Sequence, residues 1–123
     1  METERRFTPA EADAELVDLR ERLPRLRAAR QALIAASHRI TEAVSADGGG
    51  VAGSDWFAAQ RTLRGDVTSL SERGILLRDP DTGLVDFPGE VDGRPVFLCW
   101  QLGEDAVAWF HETDSGFHGR QPL

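Results

Sequence analysis

Residues 84–123 read LVDFPGEVDGRPVFLCWQLGEDAVAWFHETDSGFHGRQPL, and this stretch decides the fold. Apolar and polar residues alternate here with the period of two that is typical of strands, whereas the chain upstream has a helical period. The stretch also contains the only cysteine and two of the three histidines. We therefore expect a β part at the C-terminal end and look for functional residues within it.

The strands predicted from this period number three or four and fall at residues 75–78, 84–87, 96–101 and 106–112. The first two are joined by residues 79–83, which read DPDTG. This run resembles the start of a calcium-binding loop, but the later ligands and the closing Glu of such a loop are missing. A turn closed by a left-handed glycine accounts for the same residues, so we expect a turn.

The last two predicted strands are joined by Gly103-Glu104, which has the composition of a two-residue turn with glycine first. Such a turn fixes the register of the two strands. It places Leu98 opposite Trp109 and Val96 opposite His111.

Both faces of this predicted sheet are largely apolar, so we expect both to be covered. Helices can cover one face. The other needs the C-terminal tail, the segment before Pro24 or a second subunit, and this requirement is the reason to expect a homodimer.

The helical part begins at Thr8-Pro9-Ala10-Glu11, a capping box with proline at the first helical position. Apolar residues, most of them leucine, then recur at a spacing of seven as far as Val44. Pro24 interrupts this run. Because proline lacks an N–H and clashes with the preceding turn, it predicts a kink or a break near Leu23.

Residues 47–53 read DGGGVAG and indicate a flexible connector. The segments on either side, 25–45 and 55–73, have similar lengths, so we expect them to pair as an antiparallel helical hairpin. The second segment carries one apolar stripe, formed by Trp56, Leu63, Val67 and Leu70. Gly74 predicts a left-handed helix end, with Ile75 as its hydrophobic contact.

Together these elements predict an α+β fold in one domain, residues 1–123. The helical part covers residues 8–74 and consists of a kinked long N-terminal helix and an antiparallel helical hairpin. It packs on a small antiparallel β-meander in residues 75–123, which end in a C-terminal tail.

The chain is acidic, with 21 Asp and Glu against 14 basic residues and a net charge of −7. Such a surface repels phosphate backbones and anionic lipid, so we expect neither nucleic acid nor membrane as a partner. One cysteine forms no internal disulfide, and the N-terminal sequence METERRFTPAE has no apolar signal region. Both features predict a cytoplasmic protein.

Four motifs of the β part are distinctive: GLVDFP at 83–88, LCWxxGE at 98–104, HE at 111–112 and GFxGRQP at 116–122. With them, the chain resembles a small bacterial family of uncharacterised proteins that is known only as a domain of unknown function. The resemblance covers nearly the whole chain and implies a long N-terminal helical part followed by a short β part. It implies no activity, cofactor or site.

Asp86 lies between Val85 and Phe87, a costly place for a charge without a partner. The predicted register places it on the face opposite His111, which excludes an Asp86–His111 site unless the loop from Pro88 to Pro95 shifts the register by one residue. We expect Asp86 to accept hydrogen bonds from Arg120 or from loop N–H groups.

The other polar candidates in the β part are His111, Glu112, His118 and Arg120. Neighbouring residues on a strand point to opposite faces, so His111 and Glu112 cannot easily share one ligand. Cys99 lies among aromatic and acidic residues, which predicts a buried thiol rather than a nucleophile. A zinc site would need several ligands from the set Asp86, Cys99, His111, Glu112 and His118, but no C-x-x-C or H-x-x-x-H spacing supports one. No cofactor is predicted, and binding of a divalent metal ion stays open as an alternative.

The leading functional hypothesis is a non-enzymatic interaction or scaffold module that acts as a homodimer or binds another protein. The alternative is a small metal-dependent or acid–base enzyme, or a ligand-binding protein, with its site in the C-terminal β part. The sequence does not decide whether the protein is an enzyme.

Overall fold

The computed structural model describes the backbone of residues 5–47 and 54–123, and the side chains of residues 5–39 and 56–123. Two helices precede a five-stranded sheet: α1 (Pro9–Asp47), α2 (Ser54–Glu72), β1 (Leu76–Asp79), β2 (Leu84–Val91), β3 (Arg94–Gln101), β4 (Trp109–Glu112) and β5 (Gln121–Pro122). The strands are ordered β1-β2-β3-β4-β5, and each is antiparallel to the next. The α+β prediction is confirmed, with a fifth strand in the tail that was not predicted.

Helix α1 begins where the sequence predicts and continues farther than expected. The backbone N–H of Thr8 donates to the Glu11 carboxylate at 2.8 Å, and the N–H of Glu11 donates to the Thr8 hydroxyl at 3.1 Å, which completes the capping box. Of the kink or break predicted near Leu23, the break is absent, because α1 is helical from Pro9 to Asp47 with Pro24 inside it. Neither helix of the described ranges is long and apolar enough to cross a membrane.

Helices α1 and α2 pair as an antiparallel hairpin through ionic contacts. Arg73, just after α2, binds Glu15 and Asp18 of α1. In the middle of α2, Asp66 is only 4 % exposed and accepts hydrogen bonds from Arg22 and Arg25. The connector predicted at 47–53 lies outside the described residues from residue 48 onward.

The apolar stripe predicted for α2 is partly wrong. Leu70 is buried, but Val67 is 42 % exposed, and the buried position beside it belongs to Asp66. The two arginines from α1 make this possible, since they supply the charge that a buried carboxylate needs. An apolar pattern alone cannot show that a charged residue faces inward.

The end of α2 is a Schellman turn, as predicted. Gly74 has a φ of 78°, in the left-handed region. The N–H of Ile75 donates to the carbonyl of Leu70 at 2.9 Å, and that of Gly74 donates to Ser71 at 3.1 Å. Ile75 is 2 % exposed, so the chain enters the hydrophobic core directly after this turn, and β1 begins at the next residue.

The hydrophobic core lies between the helices and one face of the sheet. The sheet contributes Phe87 of β2 together with Leu98 and Trp100 of β3, each fully buried. The helices and the N-terminal segment contribute Phe7, Ala12, Leu16, Leu19, Leu23, Leu26 and Leu70. The segment before Pro24 therefore packs on the same face as the rest of α1 and leaves the second face of the sheet to the C-terminal tail.

Strands β2 and β3 are joined by a tight turn at Asp92-Gly93, where both residues have a positive φ, 51° and 78°. Strand β2 therefore continues past Pro88, where it was predicted to end, and β3 begins before Pro95, after which it was predicted to start. Pro88 fits because β1 pairs with β2 only as far as Asp86, and its carbonyl accepts the N–H of Phe7 at 2.7 Å.

The register of β3 and β4 differs from the prediction by one residue. His111 pairs with Phe97, and Cys99 pairs with Trp109. The predicted two-residue turn is wrong: the turn spans residues 101–104, and a longer loop follows before β4. Because strand residues alternate between faces, this shift moves His111 to the face that carries Cys99.

Candidate metal centre

Three side chains that could bind a metal meet on the second face of the sheet: Asp86, Cys99 and His111. They come from the three adjacent strands β2, β3 and β4. One ligand atom of each lies within 4.8 Å of the others. Their exposed fractions are 2 %, 1 % and 3 %. We call these three residues the buried cluster.

The contacts of His111 require a proton or a metal ion between its ring and Asp86. The Nδ1 atom lies 2.8 Å from the backbone carbonyl of Glu112, and since a carbonyl only accepts, Nδ1 carries a proton and donates. The Nε2 atom lies 3.0 Å from Oδ2 of Asp86. In a neutral ring these two atoms would both be acceptors facing each other. Either a proton lies between them, on Nε2 or on the Asp86 carboxyl, or a cation binds between these groups.

Only one of the two carboxylate oxygens of Asp86 has hydrogen-bond partners among the described residues. Its Oδ2 atom receives the Nε–H of Arg78 at 2.9 Å as well as the contact with His111. Its Oδ1 atom is buried and has no hydrogen-bond partner among the described residues. A buried carboxylate oxygen without a partner costs free energy, so this atom is where a further cation would be stabilised.

Cys99 is a protonated thiol in the absence of a metal ion. Burial, together with the negative charge of Asp86, raises the pKa of the Cys99 thiol to about 12. His111 cannot act as its base, because both ring nitrogens are engaged with Asp86 and the Glu112 carbonyl. This geometry is not that of a cysteine nucleophile, in agreement with the sequence-based prediction.

A cavity of about 400 Å³ lies over the buried cluster. Arg78 and Leu84 form part of its wall, and residues 113–117 of the C-terminal tail (residues 113–123) form the rest. These tail residues are exposed to solvent, whereas the cluster beneath them is buried. The cluster therefore faces a cavity that is open to solvent beside the tail.

The tail is fastened over this face by Arg120. Its Nη2 atom donates to both carboxylate oxygens of Glu104, at 2.9 and 2.8 Å. Its guanidinium lies 5.0 Å from the ring centre of Trp109 and 4.7 Å from that of Phe117. The predicted Asp86–Arg120 pair is wrong: Arg120 binds Glu104, and Asp86 has Arg78 and His111 as its partners.

The structure separates the remaining candidates from the cluster. Glu112 pairs with Arg94, which donates to both its oxygens at 3.0 and 2.9 Å, and this lowers the pKa of Glu112. His118 is exposed, with its ring against Phe117. The exclusion of an Asp86–His111 site is wrong, because it depended on the register of β3 and β4.

Arg78 is the residue of this site that the sequence reasoning missed. A signal for it was present, since a carboxylate between two apolar strand residues needs a cation on the same face. Arg78 is the first basic residue upstream of Asp86, and the hairpin of β1 and β2 brings it back beside that residue.

The buried cluster fits a transition-metal ion. Thiolate, imidazole and carboxylate together suit Zn²⁺ and its neighbours rather than Mg²⁺ or Ca²⁺, which take oxygen ligands. Ligand atoms about 2.0 to 2.3 Å from a tetrahedral ion lie about 3.3 to 3.7 Å apart. Ligand atoms as far apart as 4.8 Å would therefore close by about 1.1 to 1.5 Å, whereas Nε2 of His111 and Oδ2 of Asp86, 3.0 Å apart, would open by about 0.3 Å. Two of the ligands already have the outer contacts that orient metal ligands, Asp86 from Arg78 and His111 from the Glu112 carbonyl.

Comparison with known proteins gives one match. The model of a family described as uncharacterized conserved protein (DUF2203) matches residues 5–123. No curated protein and no solved structure matches the chain.

Proposed function

The chain belongs to the uncharacterized conserved protein family DUF2203, and from the geometry of its buried cluster we propose that it binds one divalent transition-metal ion through Asp86, Cys99 and His111. The observation that carries this proposal is the pairing of His111 with Asp86. An imidazole nitrogen and a carboxylate oxygen lie 3.0 Å apart while the other carboxylate oxygen is buried without a partner. A bound cation would take the place of the proton between these two groups and would give the unpartnered oxygen a partner.

The third donor makes the choice of ion specific. Cys99 becomes a ligand only as a thiolate, and a bound transition metal supplies the positive charge that deprotonates it. A hard cation such as Mg²⁺ has little affinity for sulfur. We therefore expect Zn²⁺, or an ion of similar preference, in the native protein.

The experiment is cobalt substitution of untagged protein that has been freed of metal with a chelator. Co²⁺ bound by a thiolate gives an intense near-ultraviolet charge-transfer band. Since Cys99 is the only cysteine in the chain, that band reports this site alone. We expect one Co²⁺ per chain with this band, displaced by one equivalent of Zn²⁺.

Three variants make the test selective. Cys99→Ser is expected to abolish the band, and His111→Gln to weaken Co²⁺ affinity by at least about tenfold. His118→Gln is the matched control, because His118 is exposed and outside the buried cluster. The absence of the charge-transfer band from the unaltered protein would refute the proposal.

The homodimer remains our second proposal, on a different observation from the one that suggested it. The tail covers the second face of the sheet, so that face no longer requires a partner. Phe57 of α2 is 53 % exposed beside a groove of about 530 Å³ that Arg61 and Arg64 also line. A second copy of this acidic chain would complement the groove in charge.

Native mass spectrometry of the untagged protein tests the homodimer. We expect a dimer that Phe57→Ser shifts toward monomer, whereas Phe117→Ser, which removes an exposed ring from the tail, leaves it unchanged. A monomeric mass for the unaltered protein would refute the homodimer. We also propose a cytoplasmic location, which a single cysteine held as a metal ligand suits, and cell fractionation checks it.

A further inference from the structure

We infer that the bound metal ion keeps one coordination position open and that this position takes a small oxyanion, a carboxylate or a phosphate, from the cavity. This inference rests on the proposed metal site and deepens it. Bound water would occupy the position until the oxyanion replaces it.

The open position follows from the arrangement of the three donors. Asp86, Cys99 and His111 all project from one face of the sheet and therefore approach an ion from one side. The fourth direction of a tetrahedron then points away from the sheet, toward the cavity. Among the described residues no fourth His, Cys, Asp or Glu joins the cluster. Structural zinc sites are closed by four protein ligands, whereas sites with three protein ligands bind water or substrate at the fourth position.

The class of ligand follows from Arg78. This residue lines the cavity and donates through Nε to Asp86, and no hydrogen bond within the described residues engages its two terminal nitrogens. An oxyanion can place one oxygen on the metal and another on this guanidinium, the geometry for which arginine is suited. Thr113 also lines this cavity.

The cavity also limits what can bind. A volume of about 400 Å³ accommodates a small molecule and excludes a folded partner. Asp114 is the acid that the tail contributes to the lining, and it is exposed, so solvent screens its repulsion of an anion. The Asp86 carboxylate and the Cys99 thiolate balance the charge of a divalent ion, so Arg78 supplies the net positive charge that an entering oxyanion meets.

The test uses the cobalt-substituted protein and two probes, inorganic phosphate and acetate. We expect the visible d–d bands of Co²⁺ to shift saturably with at least one probe, and the tighter of the two assigns the ligand class. Because Arg78 also orients the Asp86 ligand, Arg78→Gln is compared with the unaltered protein at Co²⁺ concentrations that saturate the charge-transfer band of both. Under that condition we expect Arg78→Gln to weaken anion affinity by about tenfold or more. Arg78→Lys restores the positive charge and should recover part of that affinity.

The outcomes separate the two proposals. If no charge-transfer band forms, the metal site itself is absent and both fail. If the band forms but neither anion moves the d–d bands, the metal site stands and the open position is refuted. If Arg78→Gln binds the anions as well as the unaltered protein does, the role of Arg78 is refuted. Arg94→Gln is the control for general loss of charge, since Arg94 pairs with Glu112 outside the cavity.

Discussion

Asp86 and His111 belong to strands that are not neighbours, β2 and β4, yet their side chains meet at 3.0 Å over the intervening strand β3. Both are almost completely buried. The contact exists only because β3 and β4 pair with His111 opposite Phe97. A shift of one residue in that register would move His111 into the hydrophobic core and leave Asp86 with Arg78 alone.

Replacing Asp86 with alanine should strongly destabilise the metal-free protein. The change removes the carboxylate that balances Arg78 and the His111 ring, and breaking a buried pair by removing one partner typically costs about 3 kcal/mol. Urea unfolding in the presence of chelator measures the loss. Glu112→Ala is the matched control, since its exposed pair with Arg94 should contribute less than about 1 kcal/mol. Equal losses in the two variants would mean that Asp86 and His111 form no ion pair.

Replacing Glu104 with glutamine should loosen the tail without unfolding the protein. The Glu104 carboxylate accepts the N–H of Gln101 at 2.7 Å and binds Arg120. An amide oxygen can still accept from Gln101, but the charge that holds Arg120 is lost. Amide hydrogen exchange should therefore become faster in residues 113–123 and stay unchanged in β2 and β3. Glu90→Gln, which breaks an exposed pair with Arg6, serves as control. Unchanged exchange in the tail would show that the aromatic contacts of Arg120 are sufficient.

The parts of the fold that sequence predicts are those fixed by neighbouring residues. Thr8 and Glu11 cap α1 across three positions, and Gly74 with Ile75 closes α2 within one turn. The Asp79–Gly83 turn is equally local, and Gly83 has the expected left-handed φ of 73°. In each case the residue types that the backbone geometry requires are adjacent in the chain.

The register that creates the buried cluster could not be predicted, because it depends on a side-chain contact within the loop after β3 and on a contact with a distant residue of α1. After β3, the Trp100 indole donates to the Glu104 carbonyl at 3.0 Å, and the N–H of Val107 donates to Asp13 of α1 at 2.7 Å. These bonds replace the tight turn with a longer loop. The Asp92-Gly93 turn, by contrast, has a recognisable composition, and Pro88 and Pro95 obscured it by suggesting a loop.

Replacing Pro24 with alanine should stabilise the protein. Pro24 is exposed within the continuous helix α1, where its ring removes the hydrogen bond to the carbonyl of Arg20. Proline in a helix interior is less favourable than alanine by about 3 kcal/mol, and some of this is recovered if α1 relaxes around the ring, so we expect a gain of about 1 to 3 kcal/mol. Thermal and urea unfolding measure it. Glu21→Ala, at an exposed position of the same helix, should change stability by less than about 0.5 kcal/mol. A loss of stability in Pro24→Ala would show that core packing depends on a bend there.

The acid stability of the helical hairpin should depend on Asp18. Hydrogen bonds from Arg22 and then Arg73 lower the pKa of Asp18 from 3.8 to about 2, against the opposing effect of burial. Because the folded-state pKa is the lower one, the contribution of Asp18 is fully present above about pH 4. It is lost as the pH falls through about 2.

We therefore expect Asp18→Asn to be less stable than the unaltered protein at pH 5, and the difference to shrink steadily toward pH 2. The Asp18 side chain is 39 % exposed, so solvent screening limits the difference to the order of 1 kcal/mol. Urea unfolding at a series of pH values measures it, with Asp105→Asn as an exposed control. A difference that does not change with pH would mean that Asp18 acts through packing, and that the arginines of the hairpin are paired by Glu15 and Asp66 instead.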